Sequence, residues 1–275
     1  MARLEGKTAV ITGGASGIGE GAARAFVAEG ANVVIADLRV DAAEALALEL
    51  GDRAVAVGVD VAVEADVAAA VDAAMSTFGR LDCMFNNAGI VGAVGPIAET
   101  DVEDFDRTMA VLLRGPFLGI KHAARVMIPQ GSGSIISTAS TAGLAGGLGP
   151  HCYTTAKHGI VGLTKSAASE LATNGIRVNA IAPGNIVTNM TARLSPGDAD
   201  FDQAKTAIAK SSPLGIAGEP HDIAMAAVYL ASDESRYLSG ETMLIDSGYL
   251  AGAGRKGGFH QADPSMVTGI AGSSS

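Results

Sequence analysis

A tyrosine and a lysine four residues apart are the residues of this sequence best suited to chemistry. Tyr153 and Lys157 are separated by about one helical turn, so on a helix their phenol and ammonium groups lie on one face. A phenol with an ordinary pKa of about 10 is a poor acid–base group near neutral pH, and a neighbouring cation lowers that pKa. The pair is therefore suited to moving a proton to or from an alcohol oxygen. A solvated helix edge would show the same two residue types, so further features must decide.

A glycine-rich stretch near the start of the chain predicts a nucleotide site. It reads Thr12-Gly13-Gly14-Ala15-Ser16-Gly17-Ile18-Gly19 and lies between a predicted strand and a predicted helix. Glycines permit a tight turn and let the backbone approach a pyrophosphate, whose charge then lies at the helix N-terminus. The strand before and the helix after are the context that separates such a site from an ordinary glycine turn.

An acidic residue indicates which dinucleotide fits this site. Asp37 ends the second predicted strand, 18 residues after Gly19. A carboxylate there accepts hydrogen bonds from the adenosine ribose and repels a 2′-phosphate. Arg39, two positions further on, opposes that repulsion, whereas the glycine-rich loop has no basic residue. We therefore expect NAD as the cofactor, with NADP the less favoured alternative.

Two more polar motifs follow predicted strands. Asp60-Val61 follows the third strand, where the carboxylate either meets an adenine amino group or caps the next helix. Asn86-Asn87-Ala88-Gly89 follows the fourth strand, where the paired amides either bind cofactor or lock the loop through side-chain to backbone hydrogen bonds. Both pairs of alternatives stay open at this point.

The elements that must position these residues alternate along the chain. Short β-branched runs predict strands at residues 8–11, 32–36, 54–57, 81–85, 134–137, 177–181 and 242–245. Longer alanine-rich patterns predict helices at residues 19–28, 41–50, 64–78, 105–128, 153–172 and 221–231. Such alternation indicates βαβ units. We expect an α/β, single-domain, Rossmann-type doubly wound parallel sheet of about seven strands with helices on both faces.

The chain of 275 residues divides unevenly. Residues 1–252 form one expected dinucleotide-binding and catalytic domain. Within it, residues 185–218 form a variable segment with weak periodicity that is longer than a plain connection, which makes it a candidate lid or binding segment. Residues 253–275 are rich in glycine and serine and are expected to form a flexible C-terminal tail.

Composition excludes several classes of function. A net charge of −10 argues against nucleic-acid binding, which needs a basic face. The sequence has neither an apolar signal-peptide stretch at its start nor a run of 18 apolar residues, so we expect no membrane span. Cys83 and Cys152 are expected to be reduced thiols of a cytoplasmic protein. The five His and two Cys show no close ligand spacing, so no metal is expected.

Taken in order, these motifs resemble the short-chain dehydrogenase/reductase family. The resemblance covers roughly residues 4 to 250. The motifs that carry it are Thr12-Gly13-x-x-x-Gly17-x-Gly19, Asp60-Val61, Asn86-Asn87-Ala88-Gly89, Ser140, Tyr153-x-x-x-Lys157 and Pro183-Gly184-x-x-x-Thr188. Their order and separations are specific to that family.

The resemblance implies roles for the residues. Tyr153 would be the general acid/base, and Lys157 would hold the nicotinamide ribose and lower the pKa of Tyr153. Ser140 would hydrogen-bond the substrate oxygen, although a strand-end cap is its other reading. The hydride would pass directly between nicotinamide and substrate carbon without a metal. The implied cofactor-binding set is Gly13, Ser16, Gly17, Ile18, Gly19, Asp37, Leu38, Asp60, Val61, Asn87, Ala88, Gly89, Tyr153, Lys157, Pro183, Gly184, Ile186 and Thr188.

One position departs from the family pattern. The family usually has an asparagine three residues before the glycine equivalent to Gly115, where it helps to hold a water beside the lysine. Leu112 occupies that position and has no side-chain donor or acceptor. We expect a working enzyme with slower proton exchange, which Leu112→Asn would test. The alternative is a non-catalytic NAD-binding scaffold or sensor on the same fold.

Substrate and assembly are the least constrained features. The variable segment contains Met190, Leu194, Phe201, Ile208, Leu214 and Ile216. Either they favour an apolar cyclic or aromatic alcohol or ketone, or they pack the segment onto the core. His151 and Met190 are candidate substrate contacts, whereas His158 is expected to be a packed or surface residue. By resemblance, the helices at 105–128 and 153–172 would form a four-helix dimer interface within a homotetramer, although their small residues would also pack against the protein's own sheet.

Overall fold

One parallel sheet organises the chain. The computed structural model describes residues 2–192 and 200–252. Within these ranges, neighbouring strands all pair in parallel in the order β3-β2-β1-β4-β5-β6-β7. The strands are β1 (Thr8–Thr12), β2 (Asn32–Asp37), β3 (Ala54–Gly58), β4 (Cys83–Asn86), β5 (Gly133–Thr138), β6 (Ile176–Pro183) and β7 (Thr242–Ile245). The predicted doubly wound sheet is therefore confirmed.

Helices cover both faces of this sheet. They are α1 (Gly17–Ala28), α2 (Val40–Leu50), α3 (Glu64–Phe78), α4 (Val102–Met109), α5 (Gly115–Gln130), α6 (His151–Leu171), α7 (Asn189–Ala192), α8 (Phe201–Ser211) and α9 (Pro220–Ala231). The first core cluster packs α1, α2 and α9 on one face, and the second packs α3, α5 and α6 on the other. Because both faces are covered, the central strands are almost continuously buried.

The strand order reverses between β1 and β4, on either side of the first strand. In sheets of this kind, ligands bind in the crevice outside the carboxyl ends of the strands at such a switch point. The glycine-rich loop after β1 and the Asn86-Asn87-Ala88-Gly89 loop after β4 both lie at this edge. The fold thus brings together motifs that are some 70 residues apart in the chain.

The predicted strand ends need correction by one or two residues. The first strand extends to Thr12, the second to Asp37 and the fourth to Asn86, each one residue beyond the predicted end. The fourth strand also begins at Cys83, where Leu81 was expected. The prediction stopped at the last apolar residue, whereas the ladder continues into polar residues at the carboxyl edge because they serve the site there.

The helix predicted at residues 105–128 is present, but it is not α-helical throughout. The structure has α4, then a π-helical turn at Ala110–Arg114, then α5. Pro116 lies in the first turn of α5 and has no N–H to donate to the carbonyl of Leu112 four residues earlier. The wider π turn accommodates this break, and such turns are common at functional sites.

The variable segment contains helices that weak periodicity did not predict. Asp200 caps α8, because its side chain accepts hydrogen bonds from the N–H groups of Asp202 and Gln203 at 2.9 and 3.1 Å. This helix buries Ala204 and Ile208 and leaves the rest of its surface polar or exposed. The predicted tail at residues 253–275 and the candidate Leu194 lie outside the described residues.

Candidate active site

The glycine-rich loop makes a close approach between two strand ends. Gly13 and Gly17 have φ angles of +62° and +54°, in the left-handed region that favours glycine. A Cβ on Gly13 would lie 2.8 Å from Cα of Ala88, and one on Gly19 would clash with the Gly13 carbonyl. The helix α1 begins at Gly17, and its N-cap Ser16 makes no side-chain cap bond. Backbone N–H groups at this helix start, with Ile18 in its first turn, fit an anionic pyrophosphate.

The buried Asp37 carboxylate fixes the glycine-rich loop by hydrogen bonding. Its Oδ2 accepts a hydrogen bond from Ala15 N at 3.0 Å, and its Oδ1 accepts one from Arg39 N at 2.9 Å. The Arg39 Nε lies 3.5 Å from the same Oδ1. Arg39 therefore turns toward the carboxylate that was expected to exclude a 2′-phosphate. Beside it, Leu38 exposes 72% of its surface at the expected adenosine end of the site.

Asp60 does not cap the following helix. The N-cap of α3 is Val63, and it makes no side-chain cap bond. Asp60 Oδ1 instead accepts a hydrogen bond from Ala62 N at 2.9 Å, and Asp66 Oδ2 accepts one from Asp60 N at 3.0 Å. These contacts fix the turn containing the buried Val61, so of the two readings of Asp60 only the adenine contact stays as a prediction.

The Asn87 amide locks the strand-end loops together. Its Nδ2 donates to the carbonyl oxygens of Thr12 and Gly13 at 3.1 and 3.3 Å. The Thr12 hydroxyl accepts hydrogen bonds from the backbone N–H groups of Asn87 and Ala88 at 3.0 and 3.1 Å. Of the two readings of the paired amides, the structure shows the locking one. Cofactor binding by the backbone of Ala88 and Gly89, beside Gly13, stays a prediction.

The predicted catalytic pair lies in the first two turns of α6. Lys157 is buried, and its Nζ donates a hydrogen bond to the carbonyl oxygen of Thr138 at 2.6 Å. The same Nζ lies 5.5 Å from the centroid of the Tyr153 ring. Burial lowers the pKa of Lys157 to about 8, because the charged ammonium is removed from water.

The expected lowering of the pKa of Tyr153 by Lys157 is wrong for the chain alone. Burial raises the pKa of Tyr153, and a side-chain hydrogen bond with Ser140 lowers it in part. Lys157 does not counter the burial because its own ammonium is desolvated and directed to Thr138.

Of the two readings of Ser140, the structure shows the strand-end cap, and the hydrogen bond to a substrate oxygen stays a prediction. Its Oγ accepts a hydrogen bond from Ala142 N at 3.1 Å and so caps a short 3₁₀ turn at Thr141–Gly143. The same side chain lies close enough to Tyr153 to lower its pKa. A Cβ on Gly143 would lie 2.7 Å from the carbonyl oxygen of Lys157, so this turn packs directly on α6. Close packing thus fixes the serine relative to the catalytic pair.

The loop after β6 joins the two ends of the site. The Gly184 N–H donates to the Ile245 carbonyl at 2.8 Å, which aligns the end of β6, at Pro183, with β7. Ile186 forms an isolated parallel bridge with Gly218 and is buried. The methyl group of Thr188 lies 3.3 Å from the position of a Cβ on Gly17. Thr188 therefore packs on the glycine-rich loop, where one extended ligand would contact both.

Leu112 refills the space where the family carries a polar side chain. It is fully buried within the π turn, and its Cδ2 lies 3.4 Å from the position of a Cβ on Gly89. Removal of a buried polar group together with its partners is tolerated when apolar atoms fill the space. The leucine side chain thus packs against the loop that carries Asn87.

A cavity of about 580 Å³ lies beneath the variable segment. Its lining includes Thr141, the residue after Ser140, but not Ser140, Tyr153 or Lys157. It starts at Thr141 and is closed by residues from α8, α9 and the ends of β6 and β7. Its apolar lining comes mainly from Leu148, Ile186, Ile208, Leu214, Ile216 and Met225. Its polar lining includes Asn185, Ser212, His221, Asp222, Asp246 and Ser247. The apolar side chains predicted for this segment therefore split: Ile208 is buried, whereas Leu214 and Ile216 are exposed.

The histidine and methionine candidates lie at the surface. His151 is the exposed first residue of α6, and Met190 exposes 36% of its surface in α7. Neither is part of the lining of the cavity. His158 is exposed, and its Nδ1 lies 2.9 Å from the Thr154 carbonyl, in line with the surface reading.

Sequence reasoning missed three residues that shape the site. Thr12 was noted only as part of the glycine-rich motif, and no role was predicted for Thr138 or Ser247. The signal for the two threonines was their place at the carboxyl ends of parallel strands, where polar side chains meet. Ser247 gave no signal, since its backbone conformation is visible only in the folded chain.

Neither a metal site nor a membrane-spanning helix occurs among the described residues. No group of three or more His, Cys, Asp or Glu side chains among them is arranged to hold a metal ion. No helix in that part of the chain is long and apolar enough to cross a membrane. Cys83 and Cys152 are both buried free thiols.

Known proteins are similar to this chain in sequence and in fold. A family model described as enoyl-(acyl carrier protein) reductase matches residues 13–250. Momilactone A synthase of Oryza sativa subsp. japonica is 50% identical over 250 residues, with 90% of each chain covered. Mitochondrial borneol dehydrogenase of Lavandula x intermedia is 50% identical over 249 residues, covering 90% of this chain and 92% of the relative.

Solved structures agree with these relatives. Levodione reductase superposes with a TM-score of 0.84 at 36% identity, covering 90% of this chain and 99% of its own. The 3-ketoacyl-(acyl-carrier-protein) reductase from Brucella melitensis, complexed with NADH, gives a TM-score of 0.82 at 36% identity, covering 89% of this chain and 98% of its own. The chain belongs to the short-chain dehydrogenase/reductase family, as its motifs predicted.

Proposed function

We propose that the protein is an NAD-dependent oxidoreductase that transfers a hydride between NAD(H) and a secondary alcohol or its ketone. The observation that carries this proposal is the group Ser140, Tyr153 and Lys157, packed at the carboxyl edge of the sheet. The glycine-rich loop lies at the same edge, and Thr188 packs on it. Relatives named as borneol and xanthoxin dehydrogenases are oxidoreductases acting on alcohols or ketones, which supports the same reaction class.

The three side chains divide the proton chemistry among them. A bound nicotinamide would accept a hydride from the alcohol carbon or return it to the ketone carbon. The Ser140 hydroxyl donates a hydrogen bond to the substrate oxygen and stabilises the charge that develops there. Tyr153 takes the alcohol proton or returns it. Lys157 orients the cofactor ribose and favours the tyrosine phenolate once its ammonium is charged.

The residues of the nucleotide end fit NAD. The buried Asp37 carboxylate lies at the end of β2 and is fixed by Ala15 N, so it is placed to meet the ribose hydroxyls. Arg39 lies beside that carboxylate, which offsets part of its positive charge. The structural relative whose title includes NADH supports a nicotinamide cofactor, and the carboxylate favours NAD over NADP.

The cavity favours a neutral and largely apolar substrate. Across the described residues, its lining includes no lysine or arginine, while Asp222 and Asp246 contribute carboxyl groups. A phosphorylated or carrier-bound acyl substrate would gain no cationic partner there. Relatives named for borneol, xanthoxin and zerumbone also point away from acyl carriers. We therefore propose a cyclic or aromatic secondary alcohol or ketone. His151 and Met190 lie outside the cavity lining and stay proposed substrate contacts only.

A non-catalytic NAD-binding scaffold is the second candidate, and Leu112 is the observation that favours it. The leucine removes a side chain that in the family serves the proton path. The neighbouring Ser140, Tyr153 and Lys157 favour catalysis instead, since a scaffold has no need for this group of side chains. Turnover of cofactor distinguishes the two candidates, whereas cofactor binding does not.

Assembly and location complete the proposal. We propose a homotetramer in which α5 and α6 pair with a second copy, and a cytoplasmic location. Phe117 on α5 exposes 49% of its surface, and a Cβ on Gly162 of α6 would meet no atom within 4 Å, so both helices keep free surface. Ala123 and Ala167 are instead buried in the protein's own core, which agrees with the alternative that small residues of these helices pack against the sheet.

The test of the proposed function is initial-rate NADH formation from NAD with neutral cyclic secondary alcohols, run beside phosphorylated and acyl-carrier substrates. NADP is supplied in a parallel series. We expect turnover with the neutral alcohols and faster turnover with NAD. A preference for anionic substrates would contradict the apolar cavity, and NADH binding without any turnover would favour the scaffold.

A further inference from the structure

Ser247 has a backbone conformation that a serine rarely adopts. Its φ angle is +62°, and among the described residues it is the only non-glycine residue with positive φ. A side chain in the left-handed region is strained because Cβ approaches the following carbonyl oxygen, whereas glycine has no such strain. Strained residues persist where the surroundings hold them, and they often mark functional positions.

The turn around Ser247 is fixed from both sides. Asp246 Oδ1 accepts a hydrogen bond from Gly248 N at 2.9 Å, and its Oδ2 accepts one from Leu250 N at 2.7 Å. A Cβ on Gly184 would lie 3.0 Å from Cα of Asp246, so the turn packs on the loop after β6. The turn thus rests on Gly184, which belongs to the implied cofactor-binding set.

The Ser247 hydroxyl binds the variable segment. Its Oγ accepts a hydrogen bond from Ser212 Oγ at 2.7 Å and another from Leu214 N at 2.8 Å. These donors lie directly after α8, which ends at Ser211. Ser212, Leu214 and Ser247 all line the cavity. The strained turn therefore attaches the outer wall of the cavity to the core of the protein.

We propose that Ser247 is a positioning residue that holds residues 212–214 against the end of β7 and so sets the size of the substrate cavity. The hydroxyl is the group that glycine would lack, and the left-handed conformation directs it to both donors. The catalytic part of this inference rests on the proposed function. The structural part, the attachment of residues 212–214, does not.

The experiment compares three variants. Ser247→Ala removes the hydroxyl and keeps the strain, whereas Ser247→Gly removes both. Ser211→Ala is the matched control, because Ser211 lines the same cavity but bonds to the Ile208 carbonyl and not to Ser247. Hydrogen exchange of the Leu214 amide and steady-state kinetics with a bulky cyclic alcohol are measured for each variant, together with thermal unfolding.

We expect the Leu214 amide to exchange about 3- to 10-fold faster in both Ser247 variants, as the loss of one hydrogen bond implies, and to be unchanged in the control. The KM for the bulky alcohol should rise by a similar factor while kcat stays within about twofold. Ser247→Gly should unfold at or above the temperature of the wild type, because its strain is relieved. Ser247→Gly would then have a higher KM without a lower unfolding temperature, which a purely structural role of Ser247 does not produce.

The proposal would be overturned if Ser247→Gly kept the wild-type exchange rate of the Leu214 amide and the wild-type KM. It would also be overturned if that variant failed to fold. If the Leu214 amide exchanges faster in the Ser247 variants but the protein turns over no alcohol, the attachment of residues 212–214 by Ser247 is supported and the proposed function is wrong. Turnover with unchanged exchange in both variants would remove the positioning role and leave the dehydrogenase.

Discussion

At the scale of single residues, burial acts on both members of the catalytic pair. It lowers the pKa of Lys157 to about 8 and raises that of Tyr153, so burial penalises the charged form of each group. With a pKa of about 8 the lysine is still mostly charged at pH 7, and its ammonium can stabilise the phenolate of the neighbouring tyrosine. This coupling links proton transfer to cofactor binding, since an anionic cofactor favours the ammonium and the ammonium favours the phenolate.

The buried lysine costs stability in the absence of ligand. A lysine whose pKa is lower in the folded than in the unfolded chain destabilises the fold fully below the folded value, and this cost disappears above the unfolded value of about 10.5. We predict that Lys157→Met is more stable than the wild type at pH 7 and that the gap narrows between about pH 8 and 10.5. Denaturant unfolding across this pH range measures it. A constant gap would show that the lysine is not perturbed.

The charge of Asp37 is predicted to set cofactor preference. Asp37→Asn keeps an acceptor for Ala15 N but removes the negative charge, so the ratio of kcat/KM for NAD over NADP should fall by about 10- to 100-fold. Asp41→Asn, an equal charge change at an exposed position of α2, is the control and should leave the ratio unchanged. An unaltered ratio in Asp37→Asn would assign the preference elsewhere.

At the scale of elements, the approach of the loop after β1 to the loop after β4 decides whether a dinucleotide fits. A methyl group on Gly13 would meet the Ala88 backbone, and the residue already has positive φ. We predict that Gly13→Ala lowers the free energy of unfolding by about 1–3 kcal/mol and weakens NADH binding.

Gly131 supplies the control for that prediction. It ends α5 with a φ angle of +72°, and a Cβ there would meet no atom within 4 Å. Gly131→Ala should therefore cost stability of about 1 kcal/mol without affecting NADH affinity. Equal NADH affinity in the two variants, measured by fluorescence titration, would contradict the assignment of the loop.

The elements themselves were predictable where periodicity is strong. The alternation of apolar strands and alanine-rich helices predicted a parallel sheet with helices on both faces, because parallel strands need crossovers of this kind. The break at Ala110–Arg114 was not predicted, since its apolar residues continue the helical pattern and only Pro116 marks it. The helix α8 was missed because few apolar residues define its buried side, although Asp200 was a valid cap signal.

At the scale of the whole molecule, the sequence predicted the site better than the cavity. Motifs at strand ends converge whenever the sheet is parallel, so Gly13, Asp37 and Tyr153 could be assigned to one edge. The cavity depends on how residues 212–216 fold back over that edge, and short stretches with weak periodicity do not specify this. Ser247 shows the same limit, because its role follows from a dihedral angle and two hydrogen bonds.

Assembly is the prediction that belongs to this scale. The open surface on α6 near Gly162 and the exposed Phe117 on α5 would be covered by a second copy. Sedimentation at micromolar concentration should give a tetramer. Phe117→Glu should shift the distribution toward smaller species, because a charge buried at such an interface is costly. A monomeric wild type would refute the assembly.

The most direct test of the central claim follows the hydrogen from substrate carbon to cofactor. The wild type and Tyr153→Phe are each incubated with NAD and a secondary alcohol deuterated at the carbinol carbon. The mass of the NADH formed is then measured by mass spectrometry. The account predicts NADH carrying one deuterium, and a variant that binds NADH normally but turns over about 10²- to 10⁴-fold more slowly. NADH without the label, or wild-type turnover by Tyr153→Phe, would contradict it.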